Sequence, residues 1–166
     1  MQNGTPEFRA FTMSSSILVN RLVSDATVVF GENKLVVKAL WDTGATGTCI
    51  SAEVVQKLSL IPTGKKNICT PSGTKEVNTY LLNIVLPNNV GIKDVEVCDT
   101  DIGNQGIGML IGMDIIGIGD FAVSNYNNKT IFSFRYPSKH KIDFVHEINL
   151  QNLIGKKHGK GKRKKK

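Results

Sequence analysis

The chain has 166 residues, of which 40% are hydrophobic and 21% are charged, a composition typical of one globular domain with short extensions. This length can bury one sizeable core and excludes two full lobes. No apolar run reaches the roughly 18–20 residues of a membrane span, and the N-terminus lacks the pattern of a secretory signal. The three cysteines fit no disulfide framework, so we expect a reducing, cytoplasmic location without membrane attachment.

The net charge of +7 is concentrated at the C-terminus. Residues 155–166 carry eight Lys or Arg and no acid, so the other residues hold 13 of the 21 basic residues against 14 acidic ones. The body of the protein is therefore nearly neutral. The tail is either a disordered, solubilising extension or an attachment to a polyanion through counterion release, and nucleic acid is expected as a partner through this tail only.

Two strands and a short helix are predicted in the first part of the chain. Residues 27–30 and 34–41 are rich in β-forming side chains, and turn residues separate them. Ser51 can cap a helix that ends before Pro62. The apolar side of this helix would consist of Val54, Val55 and Leu58.

The second part of the chain continues the pattern of short strands. Residues 80–86 are apolar almost throughout, which predicts a strand buried on both faces, ended by Pro87. Residues 93–99 alternate, with Val95 and Val97 on one face, and residues 130–135 form a late strand. A second short helix is expected to begin near Gly112 and to include residues 113–116. Many short strands favour a sandwich or small barrel over alternating βαβ units.

The segment with the most chemical information is Asp42-Thr43-Gly44, which lies between two apolar strands. It places one carboxylate on a tight turn at the mouth of a β-structure, and its glycine allows a close approach of the backbone. The Gly44 amide is free to contact Asp42, and Thr43 can form a hydrogen bond to a neighbouring loop. Asp, Thr and Gly are also ordinary turn residues, so the tripeptide alone does not separate a catalytic site from a plain turn.

A later segment, Leu110-Ile111-Gly112, follows roughly 65 residues downstream and precedes the second short helix. Together, the hydrophobic-Asp-Thr-Gly-Ala motif and this Leu-Ile-Gly segment resemble the retropepsin-like aspartic peptidases, the family of retroviral proteases. The resemblance covers roughly residues 27–135, and residues 110–116 are similar to cellular and bacterial members. It implies an all-β protein, a closed β-barrel of the retropepsin type with one or two short helices and one Asp-Thr-Gly lobe per chain.

The resemblance implies a role for each residue of the two motifs. Asp42 would be the catalytic carboxylate, and no metal or organic cofactor is implied. The residues that would support the active-site loop are Thr43, Gly44, Ala45, Leu110, Ile111 and Gly112. A β-hairpin flap over the substrate would correspond to residues 68–77. Its substrate-binding residues would be Thr70, Pro71, Ser72, Gly73 and Thr74.

Peptide hydrolysis by this mechanism needs two carboxylates that share one proton. A second Asp-Thr-Gly is missing, because Asp101 replaces the required glycine after Asp99-Thr100. Asp114 is more typical of a helix cap or a surface residue, and Asp120 of a turn. We therefore expect the second Asp42 to come from a second copy of the chain in a C2 homodimer.

The remaining reactive side chains are interpreted as structural. Cys49 lies on an apolar strand and is assigned to the core, and Ser72 has no base near it in sequence. Cys69 is expected in the flap, either as an inert thiol or as one whose oxidation modulates activity. No metal site is expected from the histidines, which lack partners at ligand spacing. They are His140, His146 and His158.

Functions from three classes are compatible with the sequence. The first is an aspartic endopeptidase that cleaves peptide or protein substrates with a water activated by the Asp42 pair. The second is a catalytically silent barrel that binds peptides or dimerises, and the third is a nucleic-acid-associated protein acting through its tail. The intact motif favours the enzyme, since a silent loop has no physical need for a carboxylate at its tip.

This interpretation divides the chain into four segments. The peptidase domain would span residues 16–136. An N-terminal segment, residues 1–15, would be a strand at the dimer seam or disordered, and residues 137–154 would form a C-terminal extension before the basic tail.

Overall fold

The computed structural model describes residues 7–70, 73–102 and 105–160. Within these residues, ten strands are present: β1 (Arg9–Ser14), β2 (Val23–Phe30), β3 (Asn33–Trp41), β4 (Cys49–Ser51), β5 (Gly64–Thr70), β6 (Gly73–Leu86), β7 (Val90–Thr100), β8 (Met109–Ile111), β9 (Asp120–Ser124) and β10 (Ile131–Tyr136). The described helices are α1 (Ala52–Lys57), α2 (Met113–Ile116) and α3 (Phe144–Lys160).

Six strands close into a barrel in the order β2-β3-β8-β4-β7-β6, because β6 pairs back onto β2. The β3–β8 and β4–β7 pairs are parallel, and the others are antiparallel. Strand β6 is long enough to extend beyond the barrel, where it forms a hairpin with β5. A register shift between Leu82 and Ile84 in the β6–β7 pair marks an irregularity of the kind that bends a strand and assists closure. The expectation of a closed, all-β barrel is confirmed.

The barrel interior receives alternate side chains of β6 and β7. Val95 and Val97 are buried on one face, as the alternation of the sequence predicts. The prediction that residues 80–86 are buried on both faces is wrong: Leu82 is 3% exposed, whereas Leu81 is 47% exposed. An apolar residue costs little on a barrel surface, so an almost continuous apolar run does not require burial of both faces.

A second, three-stranded sheet in the order β1-β10-β9 packs against the barrel through aromatic side chains. Trp41, the last residue of β3, stacks on Phe121 with ring centroids 5.4 Å apart and planes 5° apart. The Trp41 indole N–H donates to Ser24 Oγ at 3.0 Å, so its buried polar atom is satisfied. The other rings of the cluster are Phe11, Phe132 and Phe134. Because Phe11 belongs to β1, the N-terminal segment contributes to the core.

The two short helices lie where the sequence predicts them. Ser51 caps α1 by accepting a hydrogen bond from the Val54 amide, and α2 follows Gly112 directly. The described residues include a third helix, α3, whereas the sequence predicts only one or two short helices. Its signal in the sequence is Asp143, whose carboxylate accepts a hydrogen bond from the His146 amide in the manner of an N-cap.

Helix α3 carries apolar side chains that are largely exposed, such as Phe144 at 66% and Val145 at 72%. It ends at Lys160, so its last turns enter the basic stretch for which the sequence predicts disorder, while residues 161–166 lie outside the described part. No described helix combines the length and apolarity needed to cross a bilayer.

The segment after β10 is fastened to the body by Asp120. This residue begins β9 and is not part of a turn, contrary to the prediction, because strand pairing places it opposite Arg135. Its carboxylate accepts hydrogen bonds from Ser138 Oγ at 2.6 Å, from the Lys139 amide at 2.9 Å and from the Arg135 guanidinium. These bonds, with Ser138 contributing most, hold the pKa of Asp120 well below its usual value.

Leu82→Ala is expected to lower the free energy of unfolding by about 2–5 kcal/mol, because it opens a cavity in the barrel core. Leu81→Ala, one residue away, should cost less than about 1 kcal/mol. Urea unfolding of both variants measures the difference. Equal losses would show that β6 is buried on both faces after all.

Asp120→Asn is expected to change how stability depends on pH. The folded-state pKa lies below the unfolded value of about 3.9, so the carboxylate contributes stability that is present above that value and is lost as the pH falls toward the folded-state pKa. The variant should be less stable than wild type at neutral pH, and the difference should shrink on acidification. Asp25→Asn, at an exposed Lys38 ion pair, is the control. A difference that stays constant with pH would contradict the assignment.

Candidate active site

Strand β8 lies between the strand that enters the Asp42 loop and the strand that leaves it. On one side, Leu110 is opposite Leu40 in the parallel β3–β8 pair. On the other side, Leu110 is opposite Cys49 in the antiparallel β4–β8 pair. Residues 42–48 therefore pass over the end of β8, and both ends of the loop are fixed by the same strand.

Backbone hydrogen bonds attach this loop to β8 and α2. The Asp42 amide donates to Ile111 O at 3.0 Å, which continues the β3–β8 ladder by one residue. The Met113 amide donates to Ala45 O at 2.8 Å, and the Asp114 amide donates to Thr46 O at 3.2 Å. The loop carbonyls are thus satisfied by the first amides of a helix, which have no partner inside the helix itself.

Gly112 lies in contact with the loop backbone. A Cβ built on Gly112 would be 2.6 Å from both the carbonyl carbon and the oxygen of Gly47. Real Cβ atoms do not approach backbone this closely, so only glycine allows β8 to end where the loop crosses it. The Leu-Ile-Gly segment therefore lies directly behind the Asp42 loop.

The Asp42 carboxylate is held at the open side of the loop. Its Oδ1 accepts a hydrogen bond from the Gly44 amide at 2.8 Å, as the free amide of Gly44 suggested. Asp42 is half-buried, whereas Thr43 and Gly44 are exposed. A Cβ on Gly44 would lie 3.2 Å from Asp42 Oδ1, so glycine leaves room for this contact. The arrangement fixes the plane of one carboxylate and keeps it accessible.

Thr48 and Asp114 form a clamp that the sequence analysis did not assign to the site. The Thr48 amide donates to Asp114 Oδ2 at 2.9 Å, and the Thr48 hydroxyl donates to Asp114 Oδ1 at 2.8 Å. The same hydroxyl accepts from the Gly112 amide at 3.2 Å. Asp114 also accepts from the adjacent Ile115 amide, but the N-cap of α2 is Gly112, so Asp114 is an exposed residue of the first turn and not the helix cap. The sequence can show that Asp114 lies at the start of a helix. It cannot show that Thr48, on the other side of the loop, is its hydrogen-bond partner.

Side chains at matching positions on adjacent strands form a row that runs across the sheet next to the Asp42 loop. We call this row the floor. Cys49 is opposite both Leu110 and Cys98, and Cys98 is opposite Thr79. The row continues to Leu40 on β3. Neighbouring residues on these strands, such as Ala39, Trp41, Met109, Ile111 and Ile50, point into the core instead. Because Asp42 follows Leu40 by two residues, it continues the alternation and lies beside this floor.

Residues 68–70 and 73–77 of the segment expected to form the flap belong to the β5–β6 hairpin. Thr70 is opposite Gly73 at the end of this hairpin. Of the expected substrate-binding residues, Gly73 and Thr74 begin β6, while Pro71 and Ser72 lie outside the described residues. Lys66 and Ile68 alternate with exposed neighbours on β5, and Lys66 pairs with Glu96 on β7 at 3.3 Å.

Asp99, one of the carboxylates considered as a second catalytic group, is engaged by hydrogen bonds of its own. Asp99 accepts hydrogen bonds from the Asn78 amide, the Asn78 side chain and the Tyr80 hydroxyl. Asp101 is exposed, two residues further along the chain. In the part of the chain that the structure describes, no three His, Cys, Asp or Glu side chains come together as a metal site.

A closed barrel in which one strand separates the two arms of an Asp-Thr-Gly loop is the retropepsin-like fold. The structure is similar to that of a retropepsin-like aspartic protease from Rickettsia conorii, with 18% identity, a TM-score of 0.53, and coverage of 80% of this chain and 98% of that chain. The model of the gag-polyprotein putative aspartyl protease family matches residues 27–117, and the chain belongs to this family.

Two other solved structures are similar over less of the chain. The protease of simian foamy virus (mac) is 23% identical, with a TM-score of 0.41 and coverage of 58% of this chain and 92% of that one. The retroviral protease-like domain of Ddi1 from Leishmania major is 16% identical, with a TM-score of 0.45 and coverage of 69% and 95%. A search of curated proteins found no match.

Gly112→Ala is expected to destabilise the protein by about 1–3 kcal/mol, because the new Cβ forces the loop away from β8. Gly91→Ala is the matched control, since a Cβ at Gly91 meets no atom within 4 Å. Thermal unfolding of both variants measures the effect. A Gly112→Ala variant as stable as the Gly91→Ala variant would refute the close approach of loop and strand.

Proposed function

We propose that this protein is a homodimeric aspartic endopeptidase in which Asp42 of each chain supplies one half of the catalytic dyad. The observation that supports this most strongly is the geometry of Asp42, whose carboxylate is oriented by the Gly44 amide and held at the open side of a loop clamped by β8. Membership of an aspartyl protease family agrees with this role. The fold alone would not establish an activity.

The need for a second chain follows from the number of suitable carboxylates. Each chain has one Asp-Thr-Gly loop, and the nearest alternatives, Asp99 and Asp114, are engaged by hydrogen bonds that fix their own strands and helix. A C2 axis beside the loop would place the Asp42 carboxylates of both chains together. The exposed Thr43 would then lie next to the loop of the partner subunit and could brace it.

The chemistry of such a dyad is general acid–base catalysis. Two adjacent carboxylates cannot both ionise cheaply, so they hold one proton between them and titrate as a pair. The ionised Asp42 removes a proton from a bound water, which attacks the scissile carbonyl, while the protonated Asp42 of the partner subunit donates to the carbonyl oxygen. The β5–β6 hairpin would cover the peptide substrate and exclude bulk water.

Asp42→Asn is expected to reduce cleavage by at least about 10²-fold, because the dyad loses its base, while the fold is retained. Asp101→Asn is the control, since Asp101 is exposed and belongs to the sequence that resembles the motif without its glycine. Cleavage of a diverse peptide pool, read by mass spectrometry from acidic to neutral pH, measures activity. Thermal unfolding verifies that the variant is folded.

The same assay distinguishes the enzyme from the silent barrel. A folded Asp42→Asn variant that cleaves as well as wild type would refute the catalytic role. A wild-type dimer that binds peptides from the pool without cleaving them would instead show a peptide-binding module. An active enzyme should also lose specific activity on dilution, as its dimer dissociates.

A further inference from the structure

Two thiols face each other in the floor beside the candidate active site. Cys49 on β4 and Cys98 on β7 are directly opposite in a parallel pair, and their sulfur atoms are 3.1 Å apart in hydrogen-bond contact. Both are free cysteines. The third cysteine, Cys69, is exposed on the flap hairpin and does not belong to this pair.

The two thiols differ in their access to solvent. Cys49 is partly exposed in the floor next to Leu110, whereas Cys98, in the same row, is only 2% exposed. A reagent in solvent would therefore meet the Cys49 sulfur first. The Cys49 thiol can donate its single proton to Gly47 O at 3.8 Å, within the Asp42 loop, instead of to Cys98, so a change at this sulfur alters a contact with the loop.

The surroundings favour a thiolate within the pair. The hydrogen bond from Cys49 lowers the pKa of Cys98 to about 7, and the positive charge of Lys66 acts in the same direction, while burial and Asp99 oppose it. The same hydrogen bond, together with burial and Asp114, raises the pKa of Cys49. One proton is thus shared by two sulfurs near neutral pH, and a shared proton can reside on either one.

We propose that Cys49 and Cys98 form a reversible dithiol–disulfide site in the floor beside the Asp42 loop, oxidised by low-molecular-weight disulfides of the glutathione class. Neighbouring strands lie about 4.8 Å apart, which is inside the range of about 4.4–6.8 Å between the Cα atoms of disulfide-bonded cysteines. The pair can therefore be joined without a change of strand pairing. The site does not depend on peptidase activity, and only its effect on cleavage rests on the proposed function.

The reaction proceeds by two thiol–disulfide exchanges. The Cys49 proton first passes to the Cys98 thiolate along their hydrogen bond. The Cys49 thiolate formed in this way attacks one sulfur of the small disulfide, forms a mixed disulfide and expels one thiolate, which takes up a proton from solvent. Cys98 then loses its proton to solvent, and its thiolate attacks Cys49 Sγ and expels the second thiolate, which is also protonated. In sum, two protein thiols and one small disulfide give one protein disulfide and two small thiols.

Oxidation is expected to impair the candidate active site. The sulfur atoms move from 3.1 Å to about 2.0 Å apart, and the Cys49 proton that contacts Gly47 O is removed. Thr48, adjacent to Cys49, holds Asp114 and Gly112, so the displacement acts on the clamp behind the loop. Displacements of about 1 Å can change rates by as much as about 10²-fold, and we expect at least a tenfold loss of cleavage that dithiothreitol reverses.

The test uses the full chain and its Cys69→Ser variant, which removes the exposed competing thiol. Each protein is incubated with glutathione disulfide, and the product is examined by intact mass and by peptide mapping without reduction. The expected product has lost two hydrogens, retains no glutathione and contains a Cys49–Cys98 cross-link. Its rate of formation should rise as the pH increases through about 7, with the thiolate fraction of the pair.

The single-cysteine variants provide the matched controls. Cys98→Ser should stop at a stable mixed disulfide on Cys49, because no second thiol resolves it, and Cys49→Ser should react slowly, because Cys98 is buried. A persistent mixed disulfide on Cys49 in the Cys69→Ser protein, or no reaction at all, would overturn the proposal. Cross-linking is read by mass and not by cleavage, so failure of this proposal and failure of the proposed function are distinguishable.

Discussion

The contact between Gly112 and Gly47 fixes the position of the Asp42 loop, and the rest of the site depends on it. Strand β8 supplies hydrogen bonds to β3 on one side and to β4 on the other, so the loop between those strands must cross its end. The crossing is possible only because Gly112 has no side chain. The amides of α2 then satisfy the loop carbonyls, and the Gly44 amide orients the Asp42 carboxylate. Backbone geometry, more than side-chain packing, therefore determines where the carboxylate lies.

The parts of the structure that depend on local chemistry could be predicted from the sequence. The Asp42-Thr43-Gly44 turn follows from residue types that allow tight backbone geometry, and the α1 cap follows from Ser51, which lies where a helix must begin. The closed barrel was expected from many short strands and from the resemblance of two motifs. Closure itself needs the β2–β6 pairing, which joins residues far apart in the chain and has no local signal.

The parts that depend on partners across the fold could not be predicted. Thr48 is an unremarkable residue in the sequence, and its bonds to Asp114 exist only because the loop returns to α2. Cys49 and Cys98 are separated by 49 positions and become neighbours only through the parallel β4–β7 pair. The apolar run around Leu81 predicts burial of both faces wrongly, because composition reports how apolar a strand is and not which of its faces the fold covers.

The central claim is that one active site needs Asp42 from two chains, and mixing wild type with the Asp42→Asn variant tests it most directly. The two proteins are mixed in varying proportion at constant total concentration, allowed to exchange subunits, and assayed for peptide cleavage. If the dyad is shared, mixed dimers are inactive and the rate follows the square of the wild-type fraction. A rate that is linear in the wild-type fraction, under conditions where mixed dimers are shown to form, would mean that each chain works alone and would contradict the account.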